Sequence, residues 1–275
     1  MARHHGSLPA PRPVAARGRP GEPAGIGLDR NRGRADVRAV SRRTENPALA
    51  PIDGPRLPAR SRHARQLVVF LHGYGADGND LIEIGRQWQA WLPDAEFVAP
   101  HAPERCAQSP TGRQWFPLTM RDPGERWTGV NRARPGLDAF LDAELARTGL
   151  DDGRLALVGF SQGTMMALHT GLRRRRAPAA ILGYSGMLVG PEHLGEATAR
   201  SPAGRPPPVL LVHGDRDDVI PIDALFDAAE SLGKAEIPTQ WHLSFGVAHG
   251  IDGSGLTHGG QFLAQSFGRP TPKAR

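Results

Sequence analysis

The sequence predicts an α/β fold, a mostly parallel sheet with helices on both faces. Three observations carry that reading. Short apolar runs rich in Val, Leu, Ile and Phe recur without polar alternation, the pattern of strands buried on both sides. Amphipathic stretches with helical spacing separate them, as crossovers between parallel strands require. The 275 residues, 39% of them hydrophobic, suffice for one sizeable core.

Each element follows from its local pattern. Residues 66–71 (QLVVFL) form a short apolar strand, and 79–91 carry Leu81, Ile84, Trp88 and Trp91 at helical spacing. A brief strand is expected at 96–99. A helix is expected at 130–147, with Leu137, Phe140, Leu141 and Leu145 on one face. A buried strand at 154–160 runs into a helix at 162–172. Further strands are expected at 180–184, 209–212 and 239–245, with helices at 222–234 and 256–267. Right-handed crossovers place every strand's C-terminal end on one edge, where ligands of open α/β sheets bind.

Residues 1–65 read differently. They are rich in Arg, Pro, Gly and Ala and show no hydrophobic period, so a disordered tail is expected. That stretch holds 14 arginines and 5 acidic residues, whereas the other 210 residues hold 20 basic and 23 acidic ones. The net charge of +6 is therefore a property of the tail, and the mildly acidic body has no basic face for nucleic acid. The tail itself is read as solvated, against a nucleic-acid or anionic-membrane tether or an Arg-rich targeting peptide. The division expected is tail 1–65, domain 66–268 and C-terminal tail 269–275. One cysteine excludes an internal disulfide framework. No apolar run approaches the ~20 residues of a membrane span, and no apolar leader stands at the N-terminus, so a cytoplasmic protein is expected. Oligomeric state is left open, with a homodimer as one option.

Chemistry gathers just after the strands. Gly159-Phe160-Ser161-Gln162-Gly163 is a G-x-S-x-G between an expected strand and an expected helix. A chain of this composition yields about 0.17 such matches by chance, so the flanking elements give the motif its weight. A strand turning sharply into a helix leaves room only for small residues two before and two after the turn, and it lifts the serine clear of the sheet. Serine needs a base, a histidine oriented by a carboxylate, and this fold orders them Ser, Asp/Glu, His. Asp217 or a neighbour, then His249, stand at later strand ends in that order. The oxyanion of acyl transfer needs two backbone N–H donors. Gln162 offers one, and Tyr74 in His72-Gly73-Tyr74-Gly75 offers the other.

These pieces together resemble the phospholipase/carboxylesterase family of α/β-hydrolases, which includes acyl-protein thioesterases. The matching residues are Leu71-His72-Gly73-Tyr74-Gly75, Pro100-His101-Ala102-Pro103 leading to Trp115-Phe116, Gly159–Gly163, His213-Gly214-Asp215-Arg216-Asp217 and Ala248-His249-Gly250. The resemblance covers about 66–268 and implies an α/β-hydrolase fold, Ser161 as nucleophile, Asp217 as acid, His249 as base and Tyr74 as loop donor. It favours Asp217 over Asp215 and Asp218. Asp215 is then expected to bond loop backbone and Asp218 to cap the next helix. Among the other histidines, His258 is the serious rival to His249, while His72 and His213 are expected to bond loop backbone. Trp115, Phe116 and Met187 are candidate walls of the acyl site, with core packing the alternative for the aromatic pair. Cys106 reads as an inert thiol, and no Cys/His spacing suggests zinc. The letters of Gly73–Gly78 fit a nucleotide loop but lack the acidic partner that nucleotide binding wants.

The expected function is a serine esterase acting on small ester or thioester substrates through an acyl-enzyme, without metal or cofactor. A lysophospholipase or acyl-protein thioesterase has the same catalytic parts. A non-catalytic binding protein on the same scaffold is the rival from another class.

Overall fold

The computed structural model describes residues 52–119 and 122–269. Strands run β1 Arg56–Leu57, β2 Gln66–Leu71, β3 Ala95–Val98, β4 Glu104–Arg105, β5 Arg113–Gln114, β6 Leu155–Phe160, β7 Ala180–Tyr184, β8 Val209–Gly214 and β9 Thr239–Ser244. Helices run α1 Asn79–Trp88, α2 Pro123–Thr148, α3 Gln162–Gly171, α4 Asp223–Lys234 and α5 Gly253–Ser266. The main sheet has the order β1-β3-β2-β6-β7-β8-β9. Among the described residues of this sheet, only β1 is antiparallel to its neighbour. β4 and β5 make a separate hairpin.

The sheet divides two hydrophobic cores. Leu67, Val69 and Leu71 of β2 point into one core with Leu137, Met165 and Leu225, while Val68 and Phe70 point into the other with Trp88, Phe97 and Phe262. This period of two explains the unbroken apolar runs, since both faces of the central strands are covered. Every residue of β2, β7 and β8 is buried. Parallel register brings Leu71, Gly159 and Gly183 level with one another, so the loops after β2, β6 and β7 leave together at one edge.

Two expectations need correction. The folded domain does not start at 66: Arg56 and Leu57 pair with Val98 and Phe97, and the Arg56 guanidinium lies 2.6 Å from the buried Glu144 carboxylate. A two-residue strand is too short to show a period, so it was invisible within an Arg/Pro-rich stretch. At the other end, Arg269 closes onto the Ala264 carbonyl and pairs with Asp94, so the break at 268/269 is also misplaced. The expectations for residues 1–51 and 270–275 lie outside the described residues. Helix α2 starts well before the expected 130, with Asp122 accepting from the Gly124 N–H at 2.8 Å as its cap. No helix among the described residues is long and apolar enough to cross a membrane.

Candidate active site

Ser161 stands on the turn between β6 and α3 with φ 54° and ψ −116°, a conformation that costs a non-glycine residue about 1–3 kcal/mol. Its surroundings impose it. The Ser161 N–H donates to the Tyr184 carbonyl at 2.9 Å, and the Ser161 carbonyl accepts from Thr164 and Met165. A Cβ on Gly159 would meet the Gly163 backbone at 2.4 Å, and one on Gly163 would meet the Leu71 carbonyl oxygen at 1.8 Å. The two glycines therefore let helix α3 start directly against the strand ends, with the serine between them.

Two loops close on this turn. A Cβ on Gly73 would stand 3.3 Å from Ser161 Cβ, so the β2 loop passes beside Ser161. Gly75, at φ 81°, donates to Arg113, and Arg113 donates back to Ala76, which ties the loop to β5. The N–H groups of Tyr74 and Gln162 have no acceptor among the described residues. Gln162 is the first residue of α3, where backbone N–H groups are unpaired and the helix dipole favours negative charge.

The carboxylate and the imidazole are in contact. Asp217 Oδ2 accepts from His249 Nδ1 at 2.8 Å, and Asp217 Oδ1 accepts from the Val219 and Ile220 N–H groups at 3.0 and 2.8 Å. Burial pushes the Asp217 carboxyl up, but the Ile220 N–H, the His249 ring and the Val219 N–H outweigh it and hold the group below its ordinary value. His213 Nε2 lies 3.3 Å from the same carboxylate and 2.8 Å from the Ile220 carbonyl. The His249 ring packs on Phe160, the residue before Ser161, with centroids 4.9 Å apart. No hydrogen bond joins the Ser161 hydroxyl to His249 in this structure. Catalytic hydrogen bonds of this kind are often long before substrate binds.

The remaining candidates sort clearly. Asp215 bonds loop backbone as expected, accepting from the Gly246 N–H at 2.5 Å. Asp218 does not cap the next helix: it is exposed, and the N-cap of α4 is Ile222, with no side-chain cap. His258 lies inside α5, bonded to the Ser254 carbonyl and stacked 4.0 Å from His242, which removes it as a rival base. Trp115 and Phe116 are 1% and 0% exposed and belong to the core, so they do not wall an open cleft. Met187 is half-buried and lines a cavity of about 220 Å³ with Leu188, Pro191, Ala224, Ala228 and Arg126. Sequence reasoning missed the Gln162 side chain, whose Oε1 accepts from the Trp115 N–H at 2.9 Å and whose Nε2 donates to the Phe116 carbonyl at 2.7 Å. Nothing in the sequence signals it, because those partners are backbone groups of a distant loop.

Comparison with known proteins shows the family. Residues 53–267 match the family model described as Phospholipase/Carboxylesterase. The crystal structure of esterase PE8 is 45% identical, with a TM-score of 0.74, covering 78% of this chain and 98% of that one. Acyl-protein thioesterase 1 of Gibberella zeae is 27% identical over 212 residues, 70% of this chain and 86% of that protein. Zea mays acyl-protein thioesterase 2 shares the fold, with a TM-score of 0.64 at 20% identity over 78% of this chain and 99% of that one. The chain belongs to the phospholipase/carboxylesterase family of α/β-hydrolases and is a carboxylic ester hydrolase.

Proposed function

We propose that this enzyme cleaves small carboxylic esters through a Ser161–His249–Asp217 triad and an acyl-enzyme. His249 Nε2 takes the Ser161 hydroxyl proton as the oxygen bonds the ester carbonyl carbon. The negative oxygen that forms is held by the Tyr74 and Gln162 N–H groups. Collapse breaks the bond to the leaving oxygen, which receives the proton from His249. Water then attacks the acyl-Ser161, again losing its proton to His249, and the acid leaves while the proton returns to Ser161. Asp217 keeps the His249 proton on Nδ1 in the resting state and stabilises the ring when it is charged. The Asp217–His249 contact at 2.8 Å, beside a serine in a strained elbow, carries this reading.

The substrate follows from the space available. We take the cavity that Met187 lines as the acyl site; at about 220 Å³ it falls below the roughly 300–1,000 Å³ of sites for drug-sized ligands, which favours short acyl groups over long lipid chains. Likeness to acyl-protein thioesterases supports a thioester as the alternative substrate, with a thiol as its leaving group. The test is Ser161→Ala against the parent on p-nitrophenyl esters and acyl thioesters of graded chain length, with fluorophosphonate labelling. The parent is expected to prefer short chains and to label at Ser161, and the variant to do neither. Turnover by Ser161→Ala at the parent rate refutes the mechanism.

A further inference from the structure

The two proposed oxyanion donors come from loops far apart in sequence, yet they must hold a fixed separation to serve one oxygen. We propose that His72, Trp115 and the Gln162 side chain form a single hydrogen-bonded brace that sets this separation, with Trp115 as its cross-member. The inference rests on the roles assigned above to Tyr74 and Gln162.

One end of the brace is a peptide group. The Gly73 carbonyl and the Tyr74 N–H belong to one planar trans peptide and point in opposite directions, so holding the oxygen aims the N–H. His72 Nδ1 lies 2.8 Å from the Gly73 oxygen, and its Nε2 accepts from the Ala102 N–H at 2.9 Å. An Nε2 that accepts leaves the ring proton on Nδ1, where it can be donated to Gly73. The ring is fully buried, and burial pushes it down to about 4, so it stays neutral with that one proton at ordinary pH.

The cross-member comes next. The Trp115 indole N–H donates to the His72 carbonyl at 3.0 Å. The Trp115 backbone N–H donates to Gln162 Oε1 at 2.9 Å, and Gln162 Nε2 reaches the Phe116 carbonyl at 2.7 Å. An unbroken path therefore runs from the Tyr74 peptide through His72 and Trp115 to the residue that carries the other donor. The side chains are no more than 1% exposed, where an imidazole, an indole N–H and an amide each cost free energy unless bonded. Purely apolar side chains would carry no such cost. The polar atoms here fix geometry, and the expected acyl wall at Trp115 is instead a positioning residue.

The experiment uses the full chain with Trp115→Phe, which keeps an aromatic side chain but removes the indole N–H together with part of the ring volume, so thermal melting is read beside the rates to separate a packing loss. Gln162→Met and the double variant accompany it. Initial rates on a short p-nitrophenyl ester give kcat and KM, fluorophosphonate labelling gives the acylation rate, and thermal melting reports folding. Each single variant is expected to lower kcat by about tenfold to hundredfold, short of the 10²–10³ for losing one donor outright, with KM changed less than about twofold. The double variant is expected to lose no more than the worse single one, because either cut opens the same path. His72→Asn, whose amide can stand where Nδ1–H stood, is expected to recover activity lost in His72→Leu, and this pair decides if a Trp115 variant does not fold. An unchanged kcat in folded Trp115→Phe, additive losses in the double variant, or equal losses in His72→Asn and His72→Leu overturns the brace. A Ser161→Ala variant that is inactive beside a fully active Trp115→Phe defeats the brace alone, whereas an active Ser161→Ala defeats the hydrolase mechanism beneath it.

Discussion

Replacing Asp217 by Asn tests the orientation of the base, and the surroundings of the carboxylate fix what the amide must do. Oδ1 accepts two backbone N–H groups, from Val219 and Ile220, while Oδ2 accepts from His249. An Asn can place its oxygen at only one of those ends. If the amide nitrogen faced the two loop N–H groups, both would lose their acceptor, and the buried Ile220 N–H alone would cost roughly 1–3 kcal/mol. Turning the nitrogen to His249 avoids that cost. There it can only donate, so His249 Nδ1 must accept and its proton moves to Nε2, the atom that has to take the serine proton. The same exchange in a serine protease triad lowers kcat by about 10⁴, which is about 5.4 kcal/mol of barrier. Folding should suffer little, because both loop N–H groups keep an acceptor; a loss of about 1–2 kcal/mol is expected as charged bonds become neutral. Rates on a short p-nitrophenyl ester and urea unfolding measure the two effects. A kcat within tenfold of the parent, in a folded variant, refutes the assignment of Asp217 as the orienting acid.

Ser161→Gly and Ser161→Ala should both be inactive, but Gly should be the more stable in urea by about 1 kcal/mol, because only Gly adopts φ 54° without strain. His169, buried with both ring nitrogens unpartnered, is pushed down to about 3 by burial, with Arg173 and Arg134 adding to it. Its folded value lies below its unfolded one, so its stabilising effect is full above about pH 6.5 and lost as pH falls towards 3. That loss is about 2 kcal/mol by pH 5. His169→Leu should therefore show a smaller drop in urea midpoint between pH 7.5 and pH 5 than the parent. An equal drop contradicts the assignment, and some sensitivity should remain from His72, which is held near 4 by the same burial.

Burial on both faces was legible; the identity of the covering groups was not. The run QLVVFL is strand β2 at its expected bounds, because six buried residues in a row have few other homes. Strand β1 left no trace, since two residues cannot display a period, and its anchors, Glu144 and Val98, come from elsewhere in the chain. Trp115 and Phe116 show the same limit inside the site. Apolar residues after a strand say only that something apolar surrounds them, and a cleft wall and a core look alike in sequence. Asp215, Asp217 and Asp218 were chemically equal candidates. The distinction rests on which of them meets the Ile220 and Val219 N–H groups and the His249 ring, a property of the loop path. Fixed spacing, as in the Gly159 and Gly163 pair, did survive in sequence because its cause is local.

That loop path also explains why the base can come from an edge strand. β9 lies three strands from β6, about 14 Å at the usual spacing of about 4.8 Å. Four residues lie between Ser244 and His249, a reach of about 16 Å over five steps if fully extended, so the loop is long enough to run back across the sheet edge. Its bonds trace this crossing. At the end of β8, the Arg216 N–H donates to the Val247 carbonyl at 3.0 Å, and past the end of β7 the Ser185 hydroxyl donates to the Gly250 carbonyl at 3.2 Å. Where the loop passes over Gly214, a Cβ would meet the Val247 and Ala248 carbonyl oxygens at 2.2 and 2.5 Å. Gly214→Ala should push the loop off the sheet edge and draw His249 away from Ser161, since the added Cβ would overlap the two carbonyl oxygens that cross above it. A misplacement of about 1 Å at a reacting group is worth about 10²-fold in rate. A loss of that order in kcat is therefore expected while fluorescence and circular dichroism stay native. Ser185→Ala, which releases one bond without adding volume, should cost less. If folded Gly214→Ala turns over like the parent, the base does not depend on this crossing and the account of how β9 delivers His249 is wrong.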